Sequence, residues 1–175
     1  MKTILIINTG GTFNKVYNPL TGDLEIETTG RAIESIAKHW LTPLKVVNII
    51  GKDSLDMTIN DREEIKQTIQ QHPYEHVIVV HGTDTMDKTA QYLFDAELNK
   101  TVILTGSMVP YSIKPIEAVA NLTSAYGYAQ SLDNNGIFIA MNGAIGLYEN
   151  VCKNRGKGYF EFVKKDEVQQ HIIQR

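Results

Sequence analysis

The sequence predicts an α/β domain: a three-layer, doubly wound, mainly parallel sheet with flanking helices. Three observations support this prediction. Apolar runs of strand length recur along the chain, helical patterns lie between them, and the runs are rich in Ile, Val and Leu. This alternation is typical of parallel strands that are buried on both faces and joined by crossover helices.

Five strands are predicted from the apolar runs, and they cover residues 3–8, 45–50, 76–81, 101–105 and 136–141. Each run has strand length and begins or ends near polar or glycine residues. Because helical patterns separate most of them, we expect βα units in which neighbouring strands are parallel.

Four helices are predicted between the strands. The first covers residues 29–39, with Ile33, Ile36 and Ala37 at helical spacing, and the second covers 61–71, with Ile65 and Ile69 inward and Asn60 as its N-cap. The third runs from about 85 to 98 and the fourth from about 115 to 130. In the third helix the inward residues are expected to be Met86, Ala90, Leu93 and Phe94.

Two segments depart from the alternation. Residues 13–27 contain Asn-Pro and Thr-Gly pairs and indicate an N-terminal hairpin or flap. Residues 145–160 hold three glycines among polar residues. At the end, residues 164–175 carry apolar positions at helical spacing, which predicts a short docked helix.

Composition limits the function classes. The chain has 175 residues, 42% of them hydrophobic, and is most simply one domain covering residues 1–175. A net charge of -3 with dispersed Lys and Arg argues against a nucleic-acid partner, and no run approaches the roughly 20 apolar residues of a membrane helix. The first apolar run is too short for a secretory signal, and Cys152 is the only cysteine, so the cytoplasm is the expected compartment.

Hydroxyl residues stand beside glycine at three strand ends. The sequences are Thr-Gly-Gly-Thr at 9–12, His-Gly-Thr-Asp-Thr-Met at 81–86 and Thr-Gly-Ser-Met at 105–108. Ligands of open parallel sheets bind at the carboxyl ends of strands, where glycine lets the backbone approach them. A hydroxyl there can act as a nucleophile if a charged group activates it, and Asp84 and Lys153 are the available candidates.

Each motif also has a simpler interpretation. A Gly-Gly after a first strand is more often a turn or a nucleotide loop, although the third glycine of a dinucleotide site and a P-loop lysine are both lacking here. Thr83 and Asp84 are equally compatible with an N-cap pair, and Lys153 alone with a solvated loop lysine. His81 is expected to be a hydrogen-bonded strand-end histidine. The other histidines show no metal spacing, and no cofactor is indicated.

Taken in order, these motifs resemble the N-terminal catalytic domain of the bacterial L-asparaginase family over nearly the whole chain, from the first strand to Phe162. The segments at 9–12 and 81–86 match the family's TGGT and HGTDT(M) signatures. Weaker matches are Ser-Leu-Asp-Met at 54–57, the strand end at 105–108, and Met-Asn at 141–142, which Lys153 follows at the family's spacing.

The resemblance implies that Thr12 is the nucleophile that forms an acyl-enzyme and releases ammonia. Thr83, Asp84 and Lys153 would form a hydrogen-bonded set that favours the ionised hydroxyl and relays protons. Backbone N–H groups near Gly11 and Gly82 would hold the oxyanion.

The resemblance also implies substrate contacts. Ser54 would bind the α-carboxylate and Asp84 the α-ammonium of the substrate. Tyr17 is the candidate for the family's flap tyrosine, which orients the nucleophile. Leu55 stands where relatives commonly have Gln or Ser, so the side chain that the site accepts is left open.

The function expected from this resemblance is conversion of L-asparagine to L-aspartate and ammonia, with some activity on glutamine. A small amino-acid amide is the expected partner, with no nucleic acid and no membrane, and a homo-oligomer of at least two subunits. Longer members of the family carry a second, C-terminal domain, so this chain is either a short-chain member or a fragment. We expect a short-chain member, because 169–175 has the pattern of a capped helix end.

Two alternatives are kept open. The same fold could be the amidase subunit of a tRNA-dependent amidotransferase, which would require a partner chain. It could also be a catalytically silent amino-acid-binding domain, because fold and site can persist without turnover. The presence of both threonines, the aspartate and the lysine argues against silence, since binding alone does not require a nucleophile.

Overall fold

A six-stranded sheet forms the centre of the molecule. The computed structural model describes residues 1–40 and 44–163. The strands are β1 (Ile4–Gly10), β2 (Lys15–Tyr17), β3 (Leu24–Ile26), β4 (Lys45–Lys52), β5 (His76–Val80), β6 (Thr101–Thr105), β7 (Gly136–Met141), β8 (Ala144–Leu147), β9 (Val151–Asn154) and β10 (Tyr159–Phe162). In the main sheet the order is β4-β1-β5-β6-β7-β8, with every pair parallel except β7 and β8.

Four helices cover both faces of this sheet. They are α1 (Arg31–Trp40), α2 (Ile59–Gln71), α3 (Met86–Asp95) and α4 (Pro115–Ser131). Buried residues of α1 and α4 pack with Ile4 and Ile6 of β1, whereas those of α2 and α3 pack with Leu5 and Ile7. Successive residues of a strand point to opposite faces, so β1 contributes to both layers of the core. The predicted three-layer fold and its five parallel strands are confirmed.

No helix in the described part of the chain is both long enough and apolar enough to cross a membrane.

The start of α2 differs from the prediction. Thr58, not Asn60, is the N-cap, and its side chain accepts a hydrogen bond from the Asp61 N–H while the Asp61 carboxylate accepts one from the Thr58 N–H at 2.7 Å. This reciprocal capping box satisfies two N–H groups that Asn60 alone would leave unpaired.

Phe94 was predicted to face the core, and this was wrong. The side chain is 52% exposed, whereas the adjacent Leu93 is fully buried. Neighbouring residues of a helix lie about 100° apart around its axis, and Phe94 lies beside the buried face formed by Met86, Ala90 and Leu93 rather than within it. Phe94 instead packs against Tyr148, with ring centroids 5.3 Å apart.

The two irregular segments both contain hairpins. β2 and β3 pair antiparallel and form the predicted N-terminal flap. After β7 the chain adds β8 to the edge of the main sheet, and β9 and β10 then form a second antiparallel hairpin. The predicted C-terminal helix at 164–175 lies outside the described residues.

The order of strands reverses between β1 and β5. From β1 the chain passes through α1 to β4 on one side, and then through α2 to β5 on the other side of β1. Such a reversal opens a crevice at the carboxyl ends of the two strands, where α/β sheets bind ligands. The segments that follow β1 and β5 are the two threonine-bearing motifs.

Candidate active site

The turn that carries Thr12 lies directly against the turn that carries Thr83. Gly11 has φ +72°, and a Cβ placed on it would lie 2.5 Å from the Gly82 Cα. Only a residue without a side chain permits this approach and this backbone conformation. Thr12 then begins a short 3₁₀ turn and is half-buried. The structure therefore brings both threonine-bearing motifs to one place.

Ser54 fixes the second turn from the opposite side. Its Oγ accepts hydrogen bonds from the Asp84 N–H at 3.1 Å and the Thr85 N–H at 3.3 Å, and its carbonyl accepts one from Thr85 Oγ1 at 2.7 Å. A Cβ on Gly82 would lie 2.7 Å from the Ser54 Cβ. Ser54 is fully buried. In this structure its hydroxyl holds the turn that presents Thr83 and Asp84.

Lys153 connects the β9 strand to this turn. Its Nζ donates to Thr83 Oγ1 at 2.9 Å and to Asp84 Oδ1 at 2.7 Å. The lysine side chain is 12% exposed and the aspartate side chain 31% exposed. A hydroxyl oxygen that accepts a bond from an ammonium loses its proton more readily, because the positive charge stabilises the alkoxide. Lys153 therefore contacts two of the candidate site residues and is not a solvated loop lysine.

Asn142 holds the hairpin that carries Lys153. Its side-chain oxygen accepts a hydrogen bond from the Phe160 N–H at 3.0 Å, and its amide donates to Glu117 at 3.0 Å. The Asn142 N–H donates to the side chain of Asn121 at 2.9 Å. These bonds fix β10, and through it β9, to the end of β7.

Two cationic side chains bind Asp84. Besides Lys153, Arg155 donates from Nη1 to Asp84 Oδ1 at 2.9 Å and from Nη2 to the Asp84 carbonyl at 2.6 Å. The hydrogen bond from Lys153 is the main cause that lowers the pKa of Asp84, and Arg155 lowers it further. The carboxylate is thus ionised at neutral pH.

The interpretation of Thr83 and Asp84 as an N-cap pair is not supported. α3 begins at Met86 with Thr85 in the N-cap position, and the Thr85 side chain makes no capping hydrogen bond. The Asp84 carboxylate binds Lys153 and Arg155 instead.

His81 is a buried structural histidine. Its Nδ1 contacts the Gly82 carbonyl at 2.7 Å and its Nε2 the Thr89 hydroxyl at 2.8 Å. Because a carbonyl only accepts, Nδ1 carries the proton and Nε2 accepts from Thr89, which itself accepts from Arg62 Nε at 3.1 Å. Burial lowers the pKa of His81 to about 4. No group of three or more His, Cys, Asp or Glu within 1–40 and 44–163 is arranged to hold a metal ion.

The flap joins the site at its base. Lys15 of β2 pairs with Asp53, the residue before Ser54, at 2.7 Å, and the Lys15 carbonyl accepts a bond from the Ser112 hydroxyl at 2.7 Å. Tyr17 is 61% exposed at the end of β2, and Leu55 is 69% exposed beside Ser54. Neither residue is buried against the described site, so their contacts with a substrate stay predictions.

One expected oxyanion donor has another partner. The Gly11 N–H donates to the Lys52 carbonyl at 2.9 Å, because the pairing of β1 with β4 shifts register between Asn8 and Gly10. The expectation that backbone N–H groups near Gly11 and Gly82 hold the oxyanion stays a prediction. Other backbone N–H groups of the two turns would have to donate the hydrogen bonds to the oxyanion.

Arg155 and the Lys15–Asp53 pair were missed in the sequence. The sequence signal for Arg155 was only its position two residues after Lys153, because it lies in the turn that follows β9, where strand alternation does not apply. The pair between flap and turn offered no comparable signal, because its members are 38 residues apart.

The sequence of this chain matches a known protein family. Residues 3–171 match the sequence family described as Asparaginase, N-terminal. The chain is similar to L-asparaginase 1 of Escherichia coli strain K12, with 30% identity over 176 residues that cover 92% of this chain and 50% of that protein. It is also similar to glutaminase-asparaginase of Acinetobacter glutaminasificans, with 26% identity over 162 residues, 86% of this chain and 49% of that protein.

A solved structure shares the fold. The thermostable L-asparaginase from Thermococcus kodakarensis superposes with a TM-score of 0.77 at 26% identity, over 95% of this chain and 55% of that one. The chain spans about half the length of the relatives it matches. On the family match and the identity to the Escherichia coli protein, this chain belongs to the asparaginase family, within the N-terminal domain of that family.

Proposed function

We propose that this chain is an amidohydrolase that converts L-asparagine to L-aspartate and ammonia through an acyl-enzyme on Thr12. The observation that carries the proposal is Lys153, whose ammonium lies 2.9 Å from Thr83 Oγ1 and 2.7 Å from Asp84 Oδ1. A purely structural threonine has no need of a largely buried ammonium. An ammonium that contacts both a hydroxyl and a carboxylate is an arrangement that moves protons.

The two threonines have different roles in this proposal. Thr12 Oγ1 attacks the amide carbon, the C–N bond breaks, and the proton lost by the Thr12 hydroxyl is balanced by one gained by the departing nitrogen. Thr83 donates that proton to the nitrogen and takes one from Lys153, which it already contacts. The neutral lysine amine then receives, through water in the site, the proton that Thr12 lost, so that Lys153 is again an ammonium. Water then attacks the ester, releases the acid and restores the Thr12 hydroxyl.

Binding of the substrate is assigned by family resemblance. Ser54 would contact the α-carboxylate and Asp84 the α-ammonium, with the flap and Tyr17 closing over the bound amide. Ser54 is fully buried here, so its contact with substrate requires the turn or the flap to adjust when substrate enters. Glutamine, which is longer by one methylene, is expected to be a weaker substrate.

Ammonia release from a panel of small amides tests the proposal. The protein should release ammonia from L-asparagine faster than from L-glutamine, and a denatured sample should release none. A silent binding domain would bind L-asparagine in calorimetry and release no ammonia. An amidotransferase subunit would release ammonia only when a partner chain is added, and either result would contradict the proposal.

The acyl-enzyme is tested separately. Rapid acid quench during turnover, followed by mass spectrometry of peptides, should show a peptide spanning Thr12 heavier by one aspartyl group. A modified peptide spanning Thr83 in its place would assign the nucleophile to the lysine-bound hydroxyl and overturn the role given to Thr12.

A further inference from the structure

Arg155 makes two hydrogen bonds to Asp84, the residue that the proposed function assigns to the α-ammonium of the substrate. One guanidinium nitrogen donates to Asp84 Oδ1 at 2.9 Å and the other to the Asp84 carbonyl at 2.6 Å. The Arg155 side chain is 63% exposed. Two hydrogen bonds from a planar guanidinium fix it in one orientation, despite that exposure.

The charge around Asp84 is therefore positive. Lys153 and Arg155 both bind Oδ1, so two positive charges surround one negative charge. A third cation that approaches the same carboxylate is attracted by Asp84 but repelled by both neighbours. Arg155 thus weakens the binding that a carboxylate with one cationic neighbour would give an α-ammonium.

Leu55 follows Ser54 directly, and its side chain is 69% exposed. A leucine side chain has no hydrogen-bond acceptor, so this residue offers an ammonium group no partner in place of Asp84.

We infer that Arg155 is a specificity-determining residue: it lowers the preference of the site for a free α-ammonium, so that side-chain amides of dicarboxylic acids without one are accepted beside L-asparagine. The inference rests on the proposed function, because it takes the substrate position from that proposal. Succinamate, which is asparagine without its amino group, is the simplest member of this substrate class.

The test compares two substrates in four proteins. The ratio of kcat/KM for L-asparagine to kcat/KM for succinamate should rise about tenfold in Arg155→Gln, which corresponds to about 1.4 kcal/mol. Arg155→Lys retains the charge and should keep the ratio close to that of the parent. Lys157→Gln is the matched control, because Lys157 is an exposed cation on the same hairpin that pairs with Glu161 and not with Asp84. High salt should reduce the effect of Arg155→Gln, since it screens exposed charges.

An unchanged ratio in Arg155→Gln would overturn the inference, and so would an equal loss on both substrates, which would make Arg155 only a positioning residue for Asp84. Dissociation constants for L-aspartate and succinate, measured by calorimetry, test the inference without requiring turnover. If no amide is hydrolysed, the proposed function fails, yet the ratio of the two dissociation constants in Arg155→Gln and parent still decides the role of Arg155. Failure of both dicarboxylates to bind the parent protein would overturn the inference.

Discussion

Gly11 and Gly82 are in backbone contact, and through this contact the turn after β1 and the turn after β5 form one site. A Cβ on Gly11 would lie 2.5 Å from the Gly82 Cα and 2.6 Å from its nitrogen. Backbone atoms cannot move aside as a flexible side chain can. Close approach at this point is therefore a condition for Thr12 and Thr83 to face one substrate.

Gly11→Ala should disrupt the site beyond the cost of its backbone conformation. Gly22→Ala is the matched control, because Gly22 has φ +81° with no neighbour within 4 Å of its would-be Cβ. The control should lose about 1 kcal/mol in the free energy of unfolding from the left-handed conformation alone. Gly11→Ala should lose several kcal/mol more and nearly all ammonia release. Equal losses in urea titrations of the two variants would show that the glycine contact is unimportant.

Lys153→Met should remove most activity with little effect on folding. The substitution deletes the ammonium that contacts Thr83, and loss of a positioned proton donor costs about 100-fold or more. Asp84 keeps Arg155 as a partner, so no buried charge is left unpaired. Lys157→Met, on the same hairpin but 54% exposed, serves as the control for ammonia release. Parental turnover in Lys153→Met would remove the lysine from the mechanism.

His81 should make the protein less stable as the pH falls from 6.5 towards 4. Burial lowers the pKa of His81 from 6.5 to about 4, so in this window the unfolded chain binds a proton that the folded chain does not. The stabilisation is complete above pH 6.5 and is lost progressively down to about pH 4, in total on the order of 3 kcal/mol. Urea unfolding at pH 7, 5.5 and 4.5 measures it.

A histidine variant isolates this effect. His81→Gln should lower stability at pH 7, yet its stability should fall less steeply between pH 6.5 and 4.5. His39→Gln changes an exposed histidine and should retain the parental slope. A parental slope in His81→Gln would assign the pH dependence to other groups.

Tyr17→Phe should separate activity from stability. The ring is 61% exposed, so removal of its hydroxyl should change the free energy of unfolding by less than about 0.5 kcal/mol. If Tyr17 orients the nucleophile when the flap closes, kcat for L-asparagine should still fall about tenfold or more. Unchanged kcat would show that Tyr17 is not the flap tyrosine. Tyr159→Phe serves as the control, because Tyr159 lies outside the flap, on β10, and is 39% exposed.

Much of the architecture was predictable because the signals are local. The buried runs of β5, β6 and β7 are so rich in Ile, Val and Leu that their bounds agree with the prediction within one residue. Parallel strands bring their carboxyl ends to one edge, so the meeting of the segments after β1 and β5 followed from the predicted sheet. The inward direction of Phe94 failed because a short helix pattern does not distinguish adjacent apolar residues.

The least predictable contacts are the most distant in sequence. Lys153 reaches Thr83 across 70 residues, and its placement depends on the β9–β10 hairpin, which has no strong apolar pattern. Arg155 was missed for the same reason. The hydrogen bond from the Gly11 N–H to the Lys52 carbonyl depends on a register shift between β1 and β4. The apolar pattern of a single strand carries no information about its register with a neighbour.

The most direct measurement is ammonia release from L-asparagine by Thr12→Ala and Thr83→Ala beside the parent protein, with Thr21→Ala at the exposed flap turn as control. Each site variant should unfold in urea like a folded domain and lose activity by about 1,000-fold or more, while the control keeps the parental rate. Turnover of asparagine by Thr12→Ala at the parental rate would contradict the claim that Thr12 is the nucleophile.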